Sequence, residues 1–285
     1  MKSSIFTLTL LLSVISIAQA EDKAITSELP GDDYFEVSTI IPSLNDPMQI
    51  AIDHKGRIFI AERTGPVKLY DPAVGTPVTI HQLPAHHKGR PIEPIYKYRG
   101  GGECGVLGIA LDPDFERNNF IYCYYSPIEK DCNRLSRFTF KDNQLIDEVN
   151  VLEVVTERHA GPHHAGSIHF GRNRELFIAN GDNTNPHAAD GYAPIDDTAT
   201  GLHRDAQRSA GNSNDLRGAI LRIVMNEDGS YDIPKDNLYP PGTPNTRPEI
   251  YAKGCRNPFR IFVDQKTGYL HWGEVGPDAR EKTDR

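Results

Sequence analysis

Ile50-Ala51-Ile52-Asp53, followed by Ile58-Phe59-Ile60-Ala61-Glu62, decides how the chain is read. Both runs are short and rich in β-branched and aromatic residues, and a turn containing Asp53 and Gly56 separates them, as in a strand pair. The pattern returns at Ile109-Ala110-Leu111-Asp112 with Ile121-Tyr122-Cys123-Tyr124-Tyr125. It returns again at Ile168-His169-Phe170-Gly171 with Leu176-Phe177-Ile178-Ala179-Asn180. A fourth copy is Ile261-Phe262-Val263-Asp264 with Leu270-His271-Trp272-Gly273-Glu274. The turn positions 53, 112 and 171 are evenly spaced, and 264 follows a long insertion.

Working outward, each pair has companion strands. Val67-Lys68-Leu69-Tyr70 follows the first, Leu135-Ser136-Arg137-Phe138-Thr139-Phe140 follows the second, and Ile220-Leu221-Arg222-Ile223 is read as preceding the fourth. Three or four short antiparallel strands per unit at a long, regular period predict an all-β chain of the β-propeller kind. Helical periodicity is nearly absent, which removes α/β folds. A β-sandwich is the alternative, but its turns recur at a shorter period, about every 8–12 residues.

The chain has 285 residues, with 31 basic against 39 acidic, a formal net charge of -8. Hydrophobic residues are 38% and charged ones 25%, a globular balance rather than a disordered one. An acidic chain without a basic stripe excludes nucleic acid as a partner. Four cysteines are too few for a disulfide scaffold. The pairing of Cys104, Cys123, Cys132 and Cys255 stays open, with buried free thiols an equal alternative.

Lys2, the apolar run 5–17 and the exit Ala18-Gln19-Ala20 read as a signal peptide over residues 1–20. The expectation is a secreted or periplasmic protein, with residues 21–285 forming a partial propeller domain. No later segment is apolar enough to span a bilayer. The insertion from Asp182 to about Asn245 is rich in Asn, Asp, Gly and Pro and is expected to wall a site. Its Asp190, Asp196 and Asp197 are either calcium ligands or a solvated acidic loop.

Unusual residues gather at strand starts and ends. Glu103 sits among glycines before one strand, His163 and His164 before another, and Arg256-Asn257-Pro258 before a third. Gly181-Asp182 ends one partner strand, and Glu274-Val275-Gly276-Pro277-Asp278 another. In a propeller, equivalent blade ends share one mouth, so these residues are expected to converge on a polar pocket. A histidine accepts protons near neutrality, and an aspartate beside it orients the ring and stabilises the imidazolium. Arginine supplies a fixed cation, and Gly-Pro carbonyls are hard oxygen donors suited to calcium. Zinc is disfavoured: His86-His87 and His163-His164 are adjacent pairs that point apart on an extended chain, and His86-His87 reads as surface.

These strings resemble the glucose/sorbosone dehydrogenase family, the soluble quinoprotein sugar dehydrogenases. The likeness rests on residues 105–115, His163-x-x-Gly166-Ser167, Gly181-Asp182-Asn183, Leu216-Arg217-Gly218-x-Ile220-Leu221-Arg222-Ile223 and Arg256-Asn257-Pro258. It runs from about Gln49 to Pro277, and the ordered set is far more specific than any one string. The resemblance implies a six-bladed propeller carrying pyrroloquinoline quinone (PQQ) and calcium, of which this chain holds about four blades. It implies that His163 is the proton acceptor, Asp182 its support, and Arg256 and Asn257 the pair contacting the quinone. Gly276 and Pro277 match the two carbonyls holding calcium, and Glu103 falls near the reacting carbon.

The implied reaction oxidises an aldose at the anomeric carbon to a lactone. Electrons pass to an external acceptor, a cytochrome or a quinone, or to a fused domain. Two departures stand out. Val275 replaces the Gln of glucose-oxidising members, and the later lysine and arginine that grip the cofactor carboxylates have no counterpart before Arg285. The chain is therefore expected to be incomplete at its C-terminus. The alternative function is a non-catalytic carbohydrate- or protein-binding propeller, as in the hedgehog-interacting relatives. A third, a calcium lactonase-like hydrolase, needs a converging carboxylate set that Glu103 and Asp182 do not make alone.

Overall fold

In this computed structural model the described residues are 34–87, 102–158, 162–185, 195–196, 198, 201–276 and 282–284. The chain divides into two units, residues 1–40 and 41–285. The described part of the first, residues 34–40, contains no strand. The expected signal peptide lies outside the described residues.

The second unit carries four antiparallel sheets among its described residues. The first has β1 (Pro47–Ile52), β2 (Ile58–Glu62), β3 (Pro66–Tyr70) and β4 (Val78–Gln82) in sequential order. The second has β5 (Val106–Leu111), β6 (Phe120–Tyr125), β7 (Cys132–Lys141) and β8 (Gln144–Val155), again in order. The third holds β9 (Ile168–Phe170), β10 (Glu175–Asn180), β11 (Ala219–Met225) and β12 (Tyr231–Asp232), with β13 (Ile250–Lys253) also paired to β11. The last is β14 (Pro258–Val263), β15 (Leu270–Glu274) and β16 (Lys282–Asp284). Each of the four strand pairs read from the sequence is an antiparallel pair here.

The sheets stack face to face, and side-chain alternation explains how. On β6, Ile121, Cys123 and Tyr125 join a core with Phe59, Val67 and Leu69 of the first sheet. Tyr122 and Tyr124, pointing the other way, join Leu176, Ile178 and Leu221 of the third. On β10 the next residues, Phe177 and Ala179, pack with Ile261, Val263 and Leu270 of the fourth. Inner sheets are thus buried on both faces, so their strands read as continuous apolar runs rather than alternating ones. First strands β1, β5, β9 and β14 are neighbours in turn, which is blade packing around an axis.

The repeated turn residue caps the end away from the candidate site. The Asp53 side chain accepts from the Lys55 and Arg57 amides, and Asp264 from the Lys266 amide. At the third turn Gly171 stands in this place, and Glu175 accepts from the Asn173 amide instead. The only α-helix among the described residues is the single turn Phe115–Asn118.

Two expectations change. Ile220–Ile223 belongs to the third sheet, paired to β10, and does not precede the fourth as a companion. The stretch 182–245 is consequently not one insertion: β11 divides it, and residues 181–218 are the connection between β10 and β11. Propensity marked these strands correctly, but the long connection hid their partner. The pair His86-His87 is half-buried rather than on the surface, beside the bridge between Ala85 and Pro127.

Candidate active site

In every antiparallel blade the start of the first strand and the end of the second share one edge. Residues 102–105, 162–167, 181–185, 255–257 and 275–276 therefore meet at the same end of the unit.

The centre is a histidine held by a carboxylate. His163 Nδ1 donates to Asp182 Oδ1 at 2.6 Å, with His163 3% and Asp182 2% exposed. The same oxygen accepts from the amide and hydroxyl of Thr184, each at 2.9 Å. An ionised carboxylate can only accept, so the proton belongs on Nδ1 and leaves Nε2 as the basic nitrogen. The surrounding loop is strained. His163, Ala165 and Gly166 have φ of 57°, 51° and 98°. Left-handed conformations at non-glycine residues cost about 1–3 kcal/mol each and persist where surrounding bonds hold them. Here the Asn183 amide donates to the His163 carbonyl and the Gly166 amide to the Ala179 carbonyl. Gly181 completes the fit, because a Cβ there would lie 2.0 Å from the His163 carbonyl oxygen.

Arg256 and Asn257 join this loop from the fourth sheet. The Asp182 amide donates to the Arg256 carbonyl at 2.8 Å. The Arg256 guanidinium donates to the Val275 carbonyl at 2.7 Å, tying it to the turn that continues to Gly276. Glu274 accepts from both the Arg256 and Asn257 amides. Asn257 is 1% exposed; its Nδ2 donates to Glu103 Oε2 at 3.1 Å, while its Oδ1 is buried with no hydrogen-bond partner. Glu103 Oε2 also accepts from the His164 amide at 3.0 Å. The Glu103 carboxylate is thus a brace between three segments.

His163, Asp182, Arg256, Asn257 and Glu103 are therefore brought together, with Gly276 on the adjoining turn. Pro277, Asp190 and Asp197 lie outside the described residues, and Asp196 is engaged by Arg204 and Thr198. The described residues contain no group of three or more His, Cys, Asp or Glu side chains that could hold a metal ion. The hollow of about 390 Å³ on the axis is lined by Gln49, Ile109, Ile168 and neighbours, and by none of these five. The residues expected at one mouth form a mutually bonded cluster.

Several supporting residues were not singled out in the sequence. Thr184 is the clearest; Asp182-x-Thr184 is the spacing of an Asx-type turn and could have shown it. Glu274 stood out as a strand end, but not as the acceptor of the Arg256 and Asn257 amides. Behind the dyad, burial raises the Glu157 carboxyl, but the His203 hydrogen bond and the charges of Arg208 and Arg217 hold it below its usual range. Burial pushes the His164 ring down to about 3, aided by the neighbouring His163, Arg158 and His86, so it is neutral at ordinary pH. The four cysteines are buried and form no disulfide.

The sequence profile of the glucose/sorbosone dehydrogenase family matches residues 44–284. The chain belongs to that family. It is 25% identical over 257 residues to quinoprotein glucose dehydrogenase B of Acinetobacter calcoaceticus, covering 87% of this chain and 50% of that protein. It is 25% identical to the human hedgehog-interacting protein, across 81% of this chain and 32% of that one. Its fold matches the PQQ-bound aldose sugar dehydrogenase of Streptomyces coelicolor, with a TM-score of 0.63 and 23% identity, covering 87% of this chain and 62% of the other. The family member described here thus spans half or less of these two curated relatives.

Proposed function

We propose that this chain carries the proton-accepting side of a PQQ-dependent sugar dehydrogenase that oxidises an aldose at its anomeric carbon to a lactone. The observation that carries the reading is the buried His163–Asp182 dyad bonded through its own backbone to Arg256. His163 Nε2 would take the proton of the anomeric hydroxyl, with Asp182 holding the ring and offsetting the charge that forms. Arg256 would stabilise negative charge developing on the acceptor side.

The residues present fit the cofactor. Arg256 supplies a fixed cation and the partnerless buried Asn257 Oδ1 an acceptor, chemistry suited to a planar, anionic, partly protonated group. Arg256 and Asn257 would hold PQQ, and the carbonyls of Gly276 and Pro277 would face calcium. When bound, PQQ with calcium supplies the two-electron acceptor and a Lewis acid. An external cytochrome or quinone, or a fused domain, would take the electrons onward. Among the described residues no helix is long and apolar enough to cross a membrane, and a secreted or periplasmic location is part of this proposal.

The similarity to the hedgehog-interacting protein favours a second reading, a non-catalytic binding propeller. One experiment separates them. The chain is loaded with PQQ and calcium, binding is verified spectroscopically, and dye reduction is followed with a panel of aldoses. Sugar-dependent reduction with an aldonolactone product supports the dehydrogenase. Bound cofactor with no reduction by any aldose supports the binding propeller.

A further inference from the structure

The first strand of the first sheet does more than pair with β2. Two adjacent residues, Met48 and Gln49, reach the first strands of the other three sheets. Gln49 Nε2 donates to the Ile109 carbonyl of β5 at 3.0 Å and to the Ile168 carbonyl of β9 at 2.8 Å. Its Oε1 accepts from the Ile168 amide at 3.4 Å. The Met48 carbonyl accepts from the Arg260 guanidinium of β14. Inner strands of neighbouring blades do not share a ladder, so their axial edges carry main-chain groups needing partners. One side-chain amide, with two donors and an acceptor, serves two of those edges at once.

The location matters more than the count of bonds. Ile168 begins β9, and the residues before it are Gly166 and Ser167, the exit of the strained loop that holds His163 at positive φ. That exit is crowded: a Cβ on Gly108 would lie 2.3 Å from the Gly166 carbonyl oxygen and 3.3 Å from Gln49 Oε1. Ser167 Oγ also accepts from the Ile261 amide of β14. Nothing in the chemistry assigned to the dyad uses Gln49, yet its amide fixes where the loop's C-terminal anchor sits relative to the other sheets.

We propose that Gln49 is a positioning residue: by joining the first strands of three blades at the axis, its side-chain amide holds the His163 loop in the strained geometry that aligns the imidazole with Asp182. This rests on the dehydrogenase reading for its consequence in turnover, but not for its geometric content. An amide of the right length is required. A side chain of similar size without hydrogen-bonding atoms fills the space and leaves two carbonyls and one amide of the axial edges unpaired.

The test compares Gln49→Met with Leu69→Ala, a core truncation in β3 far along the chain from the dyad. Both variants lower the melting temperature. Only Gln49→Met should speed solvent exchange of the His163 Nδ1 proton in nuclear magnetic resonance, by about tenfold, because the dyad opens more often. In the chain loaded with PQQ and calcium, it should lower kcat with KM little changed. An exchange rate equal to that of Leu69→Ala overturns the proposal. If Gln49→Met does not fold, the wild-type chain decides: its Gln49 side-chain amide protons must exchange slowly, and exchange at the rate of a free amide overturns the proposal. Absent turnover in the wild-type chain with cofactor bound counts against the dehydrogenase reading alone, since the exchange measurements need none.

Discussion

The Asp182 backbone amide donates to the Arg256 carbonyl at 2.8 Å, so the residue that orients His163 through its side chain fixes the arginine segment through its main chain. Base support and cation are therefore coupled without touching side chain to side chain. A shift of either strand end moves both. This is why residues 74 positions or so apart in sequence (182 and 256) act as one site.

Asp182→Asn should keep the fold but lose the dyad. The amide can present its NH₂ or its oxygen, so the imidazole is no longer held in one tautomer. Turnover by the cofactor-loaded chain is expected to fall about 10⁴-fold, as in comparable dyads, with the circular dichroism spectrum and cofactor binding retained. Thr184→Val removes one of three donors to the same oxygen and should cost only about 1 kcal/mol of stability, measured by urea titration.

Glu103→Ala leaves the Asn257 side-chain amide and the His164 backbone amide without an acceptor. Stranding a buried donor costs about 1–3 kcal/mol, so the melting temperature should drop clearly. Glu103→Gln, whose carbonyl oxygen can accept both bonds, should drop it far less. Equal losses would show that the carboxylate's charge, not its bridging, is what matters.

Acid should weaken the fold through His164. Burial holds its folded value near about 3 against 6.5 when exposed. Between these values the unfolded chain binds a proton that the folded chain does not, so stability is lost as pH falls from about 6.5 toward 3. His164→Gln should flatten that part of the stability curve, followed by urea midpoints from pH 7 to 4. An unchanged acid limb would place the loss elsewhere.

The thiols should be inert in the folded chain. Burial raises Cys104 and Cys123, and raises Cys132 to about 11. A thiol reagent should modify none of the four before unfolding and all four in denaturant.

Most of the architecture could be read from period and alternation. The pairs beginning at Ile50, Ile109, Ile168 and Ile261 stood out because each strand is short, apolar and closed by a turn residue. What misled was β11, separated from its partner β10 by residues 181–218: pairing is a property of space, and a long connection erases its trace in the sequence. For the site, chemistry-bearing residues such as His163, Asp182 and Arg256 were visible because their types are rare at strand ends. Thr184 and Gln49 were not, since a threonine in a turn and a glutamine within a strand are ordinary until their partners are known, and Glu274 was visible only as a strand end, not as an acceptor. The bridging role of Glu103 needed coordinates too, because both of its partners are distant in sequence.

The most direct test is to follow aldose-dependent dye reduction by the wild-type chain and by His163→Ala, each loaded with PQQ and calcium and each with its bound cofactor quantified. Sugar oxidation by the wild type, falling at least about 10²-fold in the variant at equal cofactor content, is the predicted result. Equal rates in the two proteins would contradict the assignment of His163 as the proton acceptor and, with it, the account of this site.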